Sequence, residues 1–269
     1  MHSLSQNLIL KWLASLALLI HLAFRLVSPE NNVVVDLLLF NLVGLLTAGI
    51  SFKAPILTDR ISAISIGLAA LIWSLGSFFS TWNSFFRAQV PDGISDLCYS
   101  IFYPLVFLGV TRSFTYKRSI TALELLDTII ITVGLISIFS AFLLKPAMLS
   151  FEGTTWQVFT SILYPVGDLL LLAMVLIYLL LTPVGIRSLL IATGLLSFAL
   201  SDLFFIWSSL NGSHTIGSIT DDGWIFGLLL LSFSLGFPAS EAKFSDKISS
   251  YSATIALIAS SCLLGVAAL

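Results

Sequence analysis

The sequence predicts an all-α integral membrane protein, a polytopic bundle of about nine transmembrane helices with a cytoplasmic N-terminus. Three observations carry this expectation. Apolar residues make up 58% of the 269 positions and charged residues only 10%, where a soluble domain keeps about a quarter of its residues charged. Apolar runs of roughly 20 residues, the length that crosses a hydrocarbon core, recur along the chain between short linkers. The runs lack the two-residue alternation of a barrel strand, which leaves the helix as the way to satisfy the backbone in lipid.

The first run, 8–27, has the outline of a signal peptide, with Lys11 followed by an apolar stretch from Trp12 to Phe24. Arg25 follows directly, no small-x-small cleavage site is present, and further apolar runs come next, so it reads as the first membrane helix. The other eight are 32–52, 61–82, 94–114, 121–144, 155–181, 186–208, 222–238 and 251–269. The linkers carry turn chemistry, as in SPENN, KAPILTDR, QVPDG, NGSHTIGSITDD and SEAKFSDK. None could hold a folded extramembrane domain, so 1–269 reads as a single transmembrane domain. The last run is still apolar at Leu269 and has no flanking cation. A membrane helix ordinarily finishes in interfacial anchors, so the expectation is a longer protein in which a tenth helix follows. IGLAALIWSLGSFFSTW and TGLLSFALSDLFFIWSSL form a faint internal echo, with Gly67 set against Gly194 and Asp96 against Asp222.

Orientation follows from the cations. Lys53, Arg60, Arg112, Lys117, Arg118, Arg187, Lys243 and Lys247 fall in the loops after the second, fourth, sixth and eighth spans, whereas only Arg25, Arg87 and Lys145 fall on the other side. The positive-inside rule makes the first set cytoplasmic, and among these residues Arg112, Lys117 and Arg118 set topology. Trp82, Trp156, Trp207 and Trp224 then lie near the outer interface, where aromatic belts form.

Composition excludes several functions. A net charge of −2 offers no basic field for nucleic acid. Cys98 and Cys262 sit in separate apolar segments and read as small hydrophobes. His2, His21 and His214 have no ligand spacing, so neither a metal nor a cofactor is expected. There is no P-loop, no G-x-S-x-G and no H-E-x-x-H, and this chain by itself is not expected to be an enzyme.

The informative residues are carboxylates inside apolar runs, since an aspartate at a helix centre costs at least ~2.5 kcal/mol on insertion scales. Asp96, Asp202 and Asp222 share the outer leaflet in the assigned topology, and Asp168 lies one to two turns deeper. Tyr99, Tyr103, Tyr164 and Trp224 occupy similar levels. Pro104 and Pro165 each follow one of these tyrosines and free a helix carbonyl, and Gly167 beside Asp168 permits close approach. Together they point to a polar, aromatic-walled pocket opening outward. Plainer roles stand beside this one. Asp221 or Asp222 would cap a helix, Asp36 would pair with Arg25 across the first outer loop, and Asp168 and Asp202 would join helices by hydrogen bonds. Glu124 and Asp127 would pair with Arg112, Lys117 or Arg118, and His21 would be a helix-packing residue.

A set of short phrases in 91–239 carries a resemblance. In order they are SDLCYSIFYPLVFLGV (95–110), LLDTIIITVGLI (125–136), LLKPAML (143–149), YPVGDLLLLAMV (164–175), LSDLFFIW (200–207), DDGWIFGLLLL (221–231) and GFPAS (236–240). This block resembles a multi-pass membrane domain at the N-terminus of bacterial, often actinobacterial, signalling proteins. There it precedes a cytoplasmic GGDEF diguanylate cyclase domain, often followed by an EAL phosphodiesterase domain. Asp96, Tyr99, Tyr103, Pro104, Asp127, Tyr164, Pro165, Gly167, Asp168, Asp202, Asp222 and Trp224 match residue by residue. No GGDEF or EAL motif occurs in the chain. The resemblance implies a sensory input domain of the bacterial inner membrane, homodimeric and surrounded by lipid. It would bind an unknown small ligand at Asp96, Tyr99, Tyr103, Tyr164, Asp168, Asp202, Asp222 and Trp224, and regulate a cyclic di-GMP output, so that the full-length protein would be a diguanylate cyclase. A small-solute or ion transporter is the alternative from another class, and a non-catalytic membrane scaffold is a third.

Overall fold

The computed structural model describes residues 2–28, 30–55, 59–86, 90–91, 93–115, 163–164, 167–168, 170–172, 185–210, 217–218 and 220–238. All the regular structure among them is helical. Helix α1 spans His2–Val27. A π-helical stretch, Val33–Leu39, runs directly into α2, Phe40–Phe52. Next come α3, Arg60–Phe86, and α4, Gly93–Thr115, then α5, Ile186–Leu210, and α6, Asp222–Ser234. Five stretches are long and apolar enough to cross a membrane: Gln6–Val27, Val33–Phe52, Arg60–Phe86, Gly93–Ser113 and Ile186–Ser209. The expected runs at 121–144 and 251–269 lie outside the described residues, as do most of 155–181, Pro165, Lys117, Arg118, Glu124 and Asp127.

The chain divides into two units. The first comprises 1–114 and 185–239 and holds α1 to α6, and the second comprises 115–184 and 240–269. Within the second, Gly167, Asp168 and Leu171 are buried and Tyr164 is half-buried.

The exterior of the first unit is apolar. Trp12, Leu16, Leu19, Leu26, Val34, Leu189, Phe204 and Trp207 are among its exposed large side chains, and lipid is the solvent that tolerates them. Its interior sets small and polar residues among large apolar ones such as Ile66, Phe102, Phe198 and Leu228; because lipid tails are as apolar as leucine, the small and polar residues supply the specific contacts between helices. Serine and threonine hydroxyls bond across helices. Ser62 Oγ donates to Gly109 O at 2.6 Å, Ser197 Oγ to Gly223 O at 2.9 Å, and Ser232 Oγ to Thr47 O at 2.8 Å. Helices α5 and α6 meet backbone to backbone. A Cβ at Gly194 would stand 2.8 Å from Gly227 O, and one at Gly227 would stand 2.5 Å from Gly194 O. Gly67, the other member of the sequence echo, faces the Phe52 ring instead, so the matched glycines do different packing work.

The ends of this unit differ in charge. At one end Asn7 Nδ2 donates to Ile50 O and Lys53 O at 3.0 and 2.9 Å. Lys11 lies 5.3 Å from the Phe233 ring centroid, Arg112 Nε donates to Asp59 Oδ2 at 2.6 Å, and Arg187 Nη1 donates to Phe237 O at 3.1 Å. Lys11, Lys53, Arg60, Arg112 and Arg187 thus gather where α1, α3 and α5 begin and α2, α4 and α6 finish. Arg25 is the one described cation at the opposite end. Asp59, the partner of Arg112, also caps α3 by accepting from Ile61 N at 3.2 Å. The sixth helix is shorter than the expected 222–238 run. It ends at Ser234 in i→i−3 turns through Phe237, and its 13 residues rise only about 20 Å.

Gly194→Ala should destabilise the unit by about 1–3 kcal/mol, because the new methyl meets backbone that cannot rotate away. Gly49→Ala, whose Cβ would sit 3.7 Å from Leu10 Cδ1, should not. Equilibrium unfolding of both variants in detergent micelles checks the contrast, and equal losses would refute close backbone packing as the cause.

Candidate functional site

The turn that precedes α6 places the charged groups. Gly217 takes φ 73°, a left-handed conformation that favours glycine. Its N–H donates to Asp221 Oδ2 at 2.9 Å, and Ser218 donates to the same carboxylate from its N–H at 3.2 Å and its hydroxyl at 2.8 Å. Asp221 occupies the N-cap position of α6, yet its side chain makes no cap bond to the helix. It closes the turn behind it instead. The irregular backbone of the turn is satisfied by these bonds to the Asp221 side chain.

Asp222, the next residue, is 3% exposed and faces α1. Its Oδ1 lies 2.7 Å from His21 Nδ1. Hydrogen-bond geometry is not met there, so the contact is one of charge and proximity and not a directed bond. His21 Nε2 lies 3.7 Å from Asp36 Oδ1, and Asp36 is ion-paired with Arg25. The Arg25–Asp36 pair was legible in the sequence. Asp36 stands in the π-helical stretch, its Oδ2 accepting from Asn32 N at 2.8 Å. Arg25 Nη1 donates to Glu30 O at 2.9 Å. His21 is a packing residue, but one enclosed by carboxylates from two other elements.

Asp202 forms a second centre. Tyr103 OH on α4 donates to its Oδ2 at 3.2 Å, and Trp224 Nε1 on α6 donates to its Oδ1 at 2.8 Å. One half-buried carboxylate on α5 therefore joins three helices. Pro104 follows Tyr103 inside α4 and removes the N–H that Ser100 O would otherwise accept.

An aromatic hub links the two centres. Trp73 on α3, 5% exposed, has the rings of Phe40, Tyr99, Phe198 and Trp224 at centroid distances of 6.0 to 6.1 Å. Phe40 in turn lies 5.3 Å from the His21 ring. Tyr99 is within Coulombic range of Asp202, Asp221 and Asp96.

Of the eight expected ligand-binding residues, the structure brings Tyr103, Asp202 and Trp224 into direct contact and sets Tyr99 beside them through Trp73. Asp222 points away from Asp202, toward His21. Asp96 is half-buried in the first turn of α4, its carbonyl accepting Ser100 Oγ at 2.7 Å. Tyr164 and Asp168 belong to the second unit. Sequence reasoning passed over Trp73, which looks like any core aromatic, and underweighted His21. The i, i+4 spacing of His21 and Arg25, which puts both on one helix face, was the available signal. No group of three or more ligating side chains that could hold a metal occurs among the described residues.

Arg25→Met should cost about 3–5 kcal/mol by leaving Asp36 buried without its cation, and Arg25→Met with Asp36→Met should recover part of the loss. Tyr103→Phe and Trp224→Phe should each cost about 0.5–1.5 kcal/mol and combine non-additively, since both donate to Asp202. Chemical denaturation of the single and double variants reads both couplings, and simple additivity would dissolve the three-helix junction. No family model, characterised protein or solved structure matches the chain.

Proposed function

We propose that this chain is a membrane-embedded sensory input domain of a bacterial inner-membrane signalling protein, regulating a cytoplasmic GGDEF diguanylate cyclase output that the chain itself does not contain. The observation that carries the reading is the Asp202 junction. A carboxylate held by one phenol and one indole from neighbouring helices is a joint that a ligand can compete for. A polar ligand drawing Asp202 from Tyr103 or Trp224 would uncouple α4, α5 and α6 and favour a second helix arrangement by its differential affinity for the two. Pro104, beside Tyr103, supplies the weak point in α4. The resemblance of 91–239 to the input domains of such proteins supports the same reading.

In this proposal the full set of nine spans crosses the inner membrane with the N-terminus in the cytoplasm. The gathering of Lys11, Lys53, Arg60, Arg112 and Arg187 at one end of the first unit supports that orientation. The Asp202 junction then opens toward the outer leaflet. Homodimerisation follows from the output, since two cyclase active sites must meet around their product.

A transporter is the second reading, and the buried carboxylates Asp36 on the π-helical stretch and Asp222 on α6 are what favour it. Solute or proton flux in proteoliposomes that disappears on substitution of Asp202 would establish it over the first.

Asp202→Asn in the native gene product should change cellular cyclic di-GMP several-fold, with unchanged protein abundance and a thermal transition close to that of the parent. Unaltered cyclic di-GMP under every condition that moves the parent would remove the junction from the signalling mechanism.

A further inference from the structure

Lys11 is a cation for which the helices supply no anion. It stands inside the span Gln6–Val27, about 8 Å along the helix from the first residue of that span. The residue is half-buried, and its ammonium lies 5.3 Å from the Phe233 ring centroid and 2.8 Å from where a Cβ at Gly236 would stand. Among the described residues the ion pairs are those of His21, Arg25 and Arg112, and no carboxylate lies in ion-pair range of Lys11. A π contact with a phenylalanine ring replaces only part of the hydration that an ammonium gives up at this depth, where lysines are otherwise paired.

The end of α6 shapes the surroundings of this ammonium. Its 13 residues rise about 20 Å against a hydrocarbon core of roughly 30 Å, and the chain leaves the helix in i→i−3 turns through Phe237. Helix α1 runs on past this level to His2. Arg187, buried on α5, holds the same turn by donating from Nη1 to Phe237 O at 3.1 Å. Two cations from different helices therefore meet consecutive residues, Gly236 and Phe237. Lys53, at the same end, is exposed and donates to Gln6 Oε1 at 3.2 Å. On the outward face of α1, Leu8 and Trp12 flank Lys11 and are exposed, giving apolar surface for acyl chains.

We propose that Lys11 holds the phosphate of an anionic phospholipid against the end of α6, with Arg187 positioning the turn and adding its charge. The phosphodiester is the anion that a bilayer supplies at the boundary of its hydrocarbon, and basic positions between membrane helices take such headgroups. A zwitterionic headgroup would bring its own cation toward Lys11 and Arg187, so a headgroup of net negative charge is preferred. The site lies at the opposite end of α6 from Asp222 and Trp224 and does not rest on the signalling reading. A bound lipid would brace α1 against α6 where the short helix stops.

The full chain in non-denaturing detergent is titrated with phosphatidylglycerol and, separately, with phosphatidylcholine of the same acyl chains, and bound lipid is read by native mass spectrometry. Phosphatidylglycerol should bind more tightly, and Lys11→Gln should weaken it by about fivefold, the worth of one cation near an anionic headgroup. Lys11→Arg should retain the binding, and Lys53→Gln should leave it unchanged. Equal binding of the two lipids would overturn the proposal, as would an equal loss from Lys53→Gln, which would mean diffuse surface charge. Displacement of the lipid by inorganic phosphate at equal concentration would overturn the lipid assignment in favour of a soluble anion. Should Lys11→Gln fail to fold, solid-state NMR of the parent in phosphatidylglycerol bilayers decides. A dipolar contact between lysine Nζ and lipid phosphorus that disappears in Lys11→Arg supports the site, and its absence in the parent overturns it.

Discussion

Removal of water from polar groups is the constraint that organises this bundle. In lipid a carboxylate, guanidinium or hydroxyl that leaves solvent can regain its partners only from another part of the chain. The first unit shows the result at each level. Hydroxyls bond carbonyls of neighbouring helices, as Ser62 does to Gly109 and Ser232 to Thr47. Glycines let those backbones come close enough, as Gly194 and Gly227 do. Several of the ionisable groups tie separate elements together: Arg25 to Asp36, Arg112 to Asp59, His21 to Asp222, Asp202 to Tyr103 and Trp224. With apolar residues on the outside as well as in the core, these ties select one arrangement of helices over others that would bury the same area.

That division explains what could be read from the sequence. Hydropathy locates a span because the bilayer thickness fixes its length. The runs read at 32–52, 61–82, 94–114 and 186–208 accordingly correspond to described helices, with ends displaced by a few residues. Arg25 and Asp36 were legible as a pair because one short linker separates them. The Arg112–Asp59 bond was not legible, because Asp59 is brought to Arg112 by the antiparallel course of α3 and α4. Nothing local reveals such a partner.

The same limit applied to the site. Depth along the bilayer normal is a one-dimensional property that the sequence carries, and it grouped Asp96, Asp202 and Asp222 at one level. Which side of its helix each residue occupies relative to neighbouring helices is a tertiary property. Asp202 turns toward Tyr103 and Trp224, whereas Asp222 turns toward His21. The π-helical stretch at Val33–Leu39 belongs to the same category. Such stretches are rare and often mark functional positions, and nothing in VVVDLLL announces one. Here it carries Asp36, which faces both Arg25 and His21.

The two polar centres are best understood as one mechanical unit because α6 contributes to both. Asp222 at its first residue meets α1, and Trp224, two residues later, meets Asp202 on α5 while packing on Trp73. A rigid helix of 13 residues cannot shift one of these contacts by an ångström without straining the other. Packed interiors respond to such strain by exchanging one discrete arrangement for another, not by deforming continuously. Trp73 reinforces the coupling, since its four ring neighbours come from α2, α4, α5 and α6. A change that begins at either carboxylate therefore has a short physical route to the other, through a helix start and an aromatic hub that are both already buried.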